Sequence, residues 1–109
     1  MWILRSGGLE PAWTFRIPGD GVKTVGRAPR ADFIVDAAMV SRLHCRLTAA
    51  GDRLEVVDLS STNGTFVNDK RIEQAEVASG DRLRVGRVEF VVERRTASDA
   101  ENATESAGS

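Results

Sequence analysis

Short apolar runs, several alternating residue by residue with polar ones, follow one another along residues 1–95 and are separated by turn-forming residues. They cover Trp2 to Arg5, Trp13 to Ile17, Val22 to Val25, Phe33 to Val35, His44 to Ala49, Leu54 to Asp58, Thr65 to Val67, Arg71-Ile72, Arg82 to Val85 and Val88 to Glu93. In the clearest cases Leu54 and Val56 lie opposite Glu55 and Val57, and Leu83 and Val85 alternate with Arg82 and Arg84. A period of two sends successive side chains to opposite faces, one toward a core and one toward water, which is the mark of a half-buried strand. Pro18-Gly19-Asp20-Gly21 and Gly8-Leu9-Glu10-Pro11 punctuate the first runs as turns. No segment holds a helical period over ten residues; Glu73 to Gly80 is read as at most one helical turn, stopped by Ser79-Gly80-Asp81. About ten short strands at this spacing predict an all-β sandwich.

Residues 96–109 break the pattern. They contain nothing apolar larger than Ala, so they cannot bury enough surface to offset the entropy of ordering, and a disordered tail or linker is expected there. Residues 1–95 are expected to form one domain. The tail also hides a charge asymmetry, because it carries Asp99, Glu101 and Glu105 and no Lys or Arg. The formal net charge of −1 therefore leaves 15 basic against 13 acidic side chains in residues 1–95. That surplus is far from the basic stripe of a nucleic-acid binder, so no nucleic-acid partner is expected. A single cysteine, Cys45, excludes an internal disulfide, and a single histidine, His44, excludes a His-rich metal site. Neither a cofactor nor a metal is expected. No apolar stretch nears the roughly 20 residues of a membrane helix, and Met-Trp-Ile-Leu-Arg at the start is no signal peptide, so no membrane partner and a cytoplasmic location are expected.

Three short motifs sit at strand boundaries: Gly26-Arg27, Ser41-Arg42-Leu43-His44 and Ser61-Thr62-Asn63-Gly64-Thr65. Asn63-Gly64 by itself is a hairpin signal between strands 54–58 and 65–67. The hydroxyl residues Ser60-Ser61-Thr62 ahead of it are more than a tight turn needs, and such a loop begins an anion nest. Arg27 alone reads as solvated surface, and Arg30 as the ordinary example of it. Ser41 with His44 invites a nucleophile-and-base reading, but no nucleophile elbow or orienting third group accompanies them. His44 reads better as a half-buried histidine bracing a loop, and Cys45 as a small core residue.

Taken in order, the three motifs resemble the forkhead-associated (FHA) domain, and Ser79-Gly80-Asp81 leading into Leu83-Arg84-Val85-Gly86 resembles that family's closing segment. The resemblance covers nearly all of residues 1–95. It implies a β-sandwich of about ten to eleven mostly antiparallel strands with binding loops at one end. It also implies a non-enzymatic phosphothreonine-peptide-binding module acting downstream of a Ser/Thr kinase, with a phosphorylated protein as partner. Position by position, it assigns phosphate contacts to Arg27, Ser41, Arg42 and Thr62 and a grip on the peptide backbone to Asn63. It gives structural roles to Gly26, His44 and Gly64. Two positions depart from the family: Asn68-Asp69-Lys70 stands where Asn-Gly is common, so a different turn is expected, and Ser60 stands where glycine is common.

The chemistry fits that assignment, since a phosphothreonine brings a charge near −2 and three acceptor oxygens, suited to guanidinium and hydroxyl donors. At the third residue after the phosphothreonine, Met39 and Arg87 are the candidate specificity residues. Burial of an aliphatic side chain against Met39 outweighs an exposed ion pair with Arg87, so an aliphatic preference is expected. Two rival readings are a scaffold that binds through a sandwich face without phosphate and a small hydrolase built on Ser41 and His44. The first leaves the joint presence of Arg27, Ser41, Thr62 and Asn63 without a reason, and the second lacks its remaining catalytic parts.

Overall fold

The computed structural model describes residues 1–7 and 12–95. Their eleven strands are β1 (Trp2–Ser6), β2 (Thr14–Ile17), β3 (Gly21–Gly26), β4 (Phe33–Ile34), β5 (Cys45–Ala50), β6 (Arg53–Asp58), β7 (Thr65–Val67), β8 (Lys70–Ile72), β9 (Gln74–Val77), β10 (Arg82–Val85) and β11 (Val88–Arg94). One sheet runs β2-β1-β11-β10-β7-β8 and the other β4-β3-β5-β6-β9. The pairings are antiparallel except for β3 with β4. The alternating residues do what their period requires: Leu54, Val56, Leu83 and Val85 are buried between the sheets with Leu4, Ile17, Leu47, Phe90 and Val92. Phe15 of the first sheet stacks on Phe33 of the second at 4.5 Å between ring centroids, pinning the two layers at one edge. Cys45 lies in this core, where burial and then the nearby Asp58 carboxylate push its thiol up to about 12. It is inert as a nucleophile.

Two local expectations are corrected. Residues 74–77 form strand β9 rather than a helical turn, because Ala75 and Val77 alternate inward and pair with Val56 and Leu54 of β6. Asn63-Gly64 is not a hairpin: β6 and β7 belong to different sheets, so residues 59–64 cross from one layer to the other. The tight hairpin lies one step later. Asn68 and Asp69 both take positive φ, 50° and 70°, between β7 and β8. A two-residue turn with both residues left-handed matches the twist of the flanking strands, and Asn and Asp are the non-glycine residues that tolerate it best. The expected difference from an Asn-Gly turn does not arise. Ser60 likewise adopts φ 56°, the conformation a glycine would supply. The turn expected at Gly8-Leu9-Glu10-Pro11 and residues 96–109, expected to be disordered, lie outside the described residues.

Candidate functional site

Connections at one end of the sandwich converge: 27–32 after β3, 35–44 after β4, 59–64 after β6, and Gly86-Arg87 after β10. Backbone contacts set the first two against each other. Arg27 N–H donates to the Ser41 carbonyl at 3.0 Å and Ala28 N–H to the Arg42 carbonyl at 3.1 Å. This approach is possible only because residue 26 is glycine, since a Cβ there would lie 2.1 Å from the Arg42 carbonyl oxygen.

His44 joins the second loop to the third. It is 0% exposed; its Nδ1 accepts the Ser41 N–H at 3.1 Å, and its Nε2 donates to the Gly64 carbonyl at 2.8 Å. An acceptor at Nδ1 and a donor at Nε2 define a neutral tautomer with both nitrogens committed to backbone. No lone pair remains for the Ser41 hydroxyl, which instead accepts the Thr62 N–H at 3.0 Å. The geometry is that of a brace, and a Ser41–His44 nucleophile pair is not formed. The imidazole is fully buried rather than half-buried.

A second support, which sequence reasoning missed, lies behind the 59–64 loop. The Asp58 carboxylate accepts the Ser61 N–H, the Ser61 hydroxyl and the Thr65 hydroxyl, and Ser61 Oγ in turn accepts the Gly64 N–H at 3.0 Å. Burial raises the Asp58 carboxyl pKa, but hydrogen bonds from Ser61 and Thr65 outweigh it and hold the group below its ordinary value. Asp followed by Ser three residues on is the pattern of a side-chain cap, in which a carboxylate accepts the N–H three residues later, and it is the signal that could have revealed this support.

Met39 completes the frame. It has φ 71°, unusual for a side chain of its size, and its carbonyl accepts Asn63 Nδ2 at 2.9 Å. Gly86 packs against the same backbone, where a Cβ would meet the Met39 carbonyl at 2.9 Å. The strained conformation is held from two sides.

These loops surround an open depression of about 560 Å³. Of the residues singled out from sequence, Arg27, Met39, Ser41, Arg42, Thr62 and Asn63 line it. Gly26, His44 and Gly64 lie behind it, buried. Arg87 is exposed and is not part of the lining. Asp36, not singled out beforehand, is on the wall. Arg27 is anchored through Nε to the Val40 carbonyl at 3.1 Å, which aims its guanidinium while leaving the two terminal nitrogens as donors. Among the described residues neither Arg27 nor Arg42 forms an ion pair. Two guanidinium groups and a hydroxyl around a solvent-open hollow make a receptor for an oxyanion.

Similarities to known proteins agree with this frame. The family model of the FHA domain matches residues 23–86. The chain is 37% identical over 68 residues to the glycogen accumulation regulator GarA of Mycolicibacterium smegmatis, covering 62% of this chain and 43% of GarA. It spans less than half the length of the curated relatives it matches. Among solved structures it resembles the FhaA FHA domain, solved in complex with the intracellular domain of Rv3910, at TM-score 0.78 and 30% identity over 85% of this chain and all of that one. It also resembles Mycobacterium tuberculosis EmbR, solved with a low-affinity phosphopeptide, at TM-score 0.73 and 26% identity, covering 84% of this chain and 24% of EmbR. With a matching family model over more than half its length and an eleven-stranded sandwich of the same shape, the chain belongs to the FHA domain family.

Proposed function

We propose that residues 1–95 form a non-catalytic module that binds phosphothreonine peptides and acts downstream of a Ser/Thr kinase. The observation that carries this reading is the set of donors left around the depression. Arg27 and Arg42 bring unpaired guanidinium groups, and Ser41 Oγ already accepts the Thr62 N–H, so its own proton is available for a phosphate oxygen. Each charge-assisted bond contributes roughly 1.5–3 kcal/mol net. Three or four of them supply roughly 5–12 kcal/mol against association costs of at least about 4 kcal/mol, so a reversible contact near micromolar, about −8 kcal/mol, also draws on the peptide-backbone and side-chain contacts described next. Thr62 supports the phosphate site from the neighbouring loop. Asn63, with its amide nitrogen tied to Met39, presents its carbonyl oxygen to a peptide N–H. At the third residue after the phosphothreonine, Met39, 40% exposed on the wall, favours an aliphatic side chain over an acidic one drawn to Arg87. A library screen selecting Asp or Glu there would reverse that part.

The test of the main reading is titration with matched Thr and phosphothreonine peptides. The phosphorylated peptide alone should bind, and Arg27→Ala should remove detectable binding while shifting the melting temperature little, because Arg27 is exposed. Equal affinity for both peptides, or full affinity in a folded Arg27→Ala protein, would refute it.

A further inference from the structure

We infer a second anion subsite beside the phosphate pocket, built by Arg30 and Arg42 and suited to one carboxylate side chain of the same bound peptide. The inference rests on the phosphothreonine reading above and adds a specificity determinant to it. On the far side of Arg42 lies a separate hollow of about 380 Å³, lined by Ala28, Arg30, Arg42 and Leu43. It shares Arg42 with the phosphate pocket but touches none of Met39, Ser41, Thr62 or Asn63. A smaller hollow between Arg27 and Arg42, also bordered by Pro29, adjoins the same two loops. Arg27, Arg42 and Arg30 therefore follow one another around the rim, in that order.

Arg30 stands on a rigid loop. Ala28 and Ala31 on either side of it are buried, Ala31 N–H donates to the Ala28 carbonyl, and Pro29 fixes its own φ. Asp32, the nearest carboxylate in sequence, is turned back on Thr24, accepting its N–H at 2.8 Å and its hydroxyl at 3.1 Å. Among the described residues neither Arg30 nor Arg42 makes an ion pair. The Ala28 N–H to Arg42 carbonyl bond holds the two loops that carry these guanidinium groups together. Two like charges held side by side without a counter-ion are a binding surface for an anion.

Charge decides which anion. A phosphothreonine of charge near −2 is neutralised by Arg27 and Arg42, leaving one positive charge at Arg30. A single carboxylate matches that remainder, whereas a second phosphate would leave about one negative charge uncompensated. Because Met39 reads the residues after the phosphothreonine, the hollow across Arg42 receives a residue before it. At about 3.3–3.6 Å per extended residue, positions one to four before the phosphothreonine reach up to about 14 Å from it, and these are the positions to be searched.

The test is a set of fluorescein-labelled phosphothreonine peptides with alanine flanks, in which glutamate is moved through these four positions. At one position glutamate should tighten binding about three- to fivefold, the range of a solvent-exposed ion pair. Arg30→Ala should erase that gain while binding the alanine-flanked peptide as well as before, and Arg30→Glu should transfer the gain to a lysine at the same position. No gain at any of the four positions, or a gain that survives Arg30→Ala, would overturn the subsite. A second phosphothreonine at the selected position binding tenfold more tightly than glutamate would overturn the carboxylate assignment. Failure of every phosphopeptide to bind would instead remove the phosphothreonine reading, and the subsite with it.

Discussion

Replacing Gly26 by alanine is the sharpest probe of how the binding loops are assembled. The added methyl group would lie 2.1 Å from the Arg42 carbonyl oxygen, 2.8 Å from its carbon and 3.0 Å from the Leu43 Cα, all backbone atoms that cannot rotate away. A relaxed carbon–oxygen contact is about 3.3 Å, so the 41–43 segment has to retreat by about 1.2 Å. The Arg27 N–H to Ser41 and Ala28 N–H to Arg42 bonds, now 3.0 and 3.1 Å, are then stretched past hydrogen-bonding range. Their loss costs about 0.5–1.5 kcal/mol each, and overpacking costs roughly 1–3 kcal/mol more. The expected destabilisation is about 2–6 kcal/mol, which lowers the melting temperature of a domain this size by at least about 8 °C. Because Ser41 and Arg42 move with the segment, phosphopeptide affinity should fall by at least about tenfold as one charge-assisted contact is lost. Gly19→Ala is the control, since nothing lies within 4 Å of its Cβ position. It should leave binding intact and leave stability unchanged or raise it by up to about 1 kcal/mol through the unfolded state. Calorimetry and fluorescence anisotropy on both variants decide the matter. A Gly26→Ala protein that melts within a degree or two of the parent and binds normally would refute this account of the loops.

Other perturbations follow from the same contacts. His44→Ala strands the Ser41 N–H and the Gly64 carbonyl in a buried site; at about 1–3 kcal/mol for each unsatisfied group, both melting temperature and affinity should fall, and an unchanged melting temperature would show that His44 is no brace. Asp58 sets an acid limit: with its folded pKa below the ordinary 3.8, its contribution is complete above that value and is lost as pH falls through the lower folded value. The difference in stability between parent and Asp58→Asn, measured by urea unfolding from pH 7 to pH 2.5, should therefore be constant above about pH 5 and shrink below pH 4. A difference that grows with acid would contradict the sign.

What the sequence disclosed follows from the range of each interaction. The strands at 54–58 and 82–85 were legible because Leu54, Val56, Leu83 and Val85 are large and strictly alternate, and their burial follows. Strand β9 was not, since Glu73-Gln74-Ala75-Glu76 has the local preference of a helix and only pairing with β6 across the sheet overrides it. Asn63-Gly64 carried a true turn signal, but whether β6 and β7 share a sheet depends on partners far away in sequence. Met39 was readable as an apolar wall residue. Its left-handed backbone was not, because that conformation is imposed by Gly86 and Asn63 and not by methionine itself.

The polar groups at the binding end divide into those already committed and those left over, and the division explains why the motifs were readable at all. His44, the Asn63 amide nitrogen and Arg27 Nε are committed to holding one loop against another, and Ser61 and Asp58 to holding the 59–64 loop in its own shape. The Arg27 terminal nitrogens, the Arg42 guanidinium and the Ser41 proton are not, although each belongs to a residue whose backbone or remaining side-chain atoms are tied down. Donors fixed in place but unmatched cost the free domain charge repulsion with no compensating contact. Such an arrangement is stable only because the core and the His44 and Asp58 supports over-determine the loops, and it returns free energy only when an oxyanion arrives. Residues of both kinds fall in the same three short motifs because a donor can be aimed only by a neighbour that is itself anchored. Gly26 with Arg27, Ser41 with His44, and Ser61 with Thr62 and Asn63 each pair an anchored residue with one that is presented.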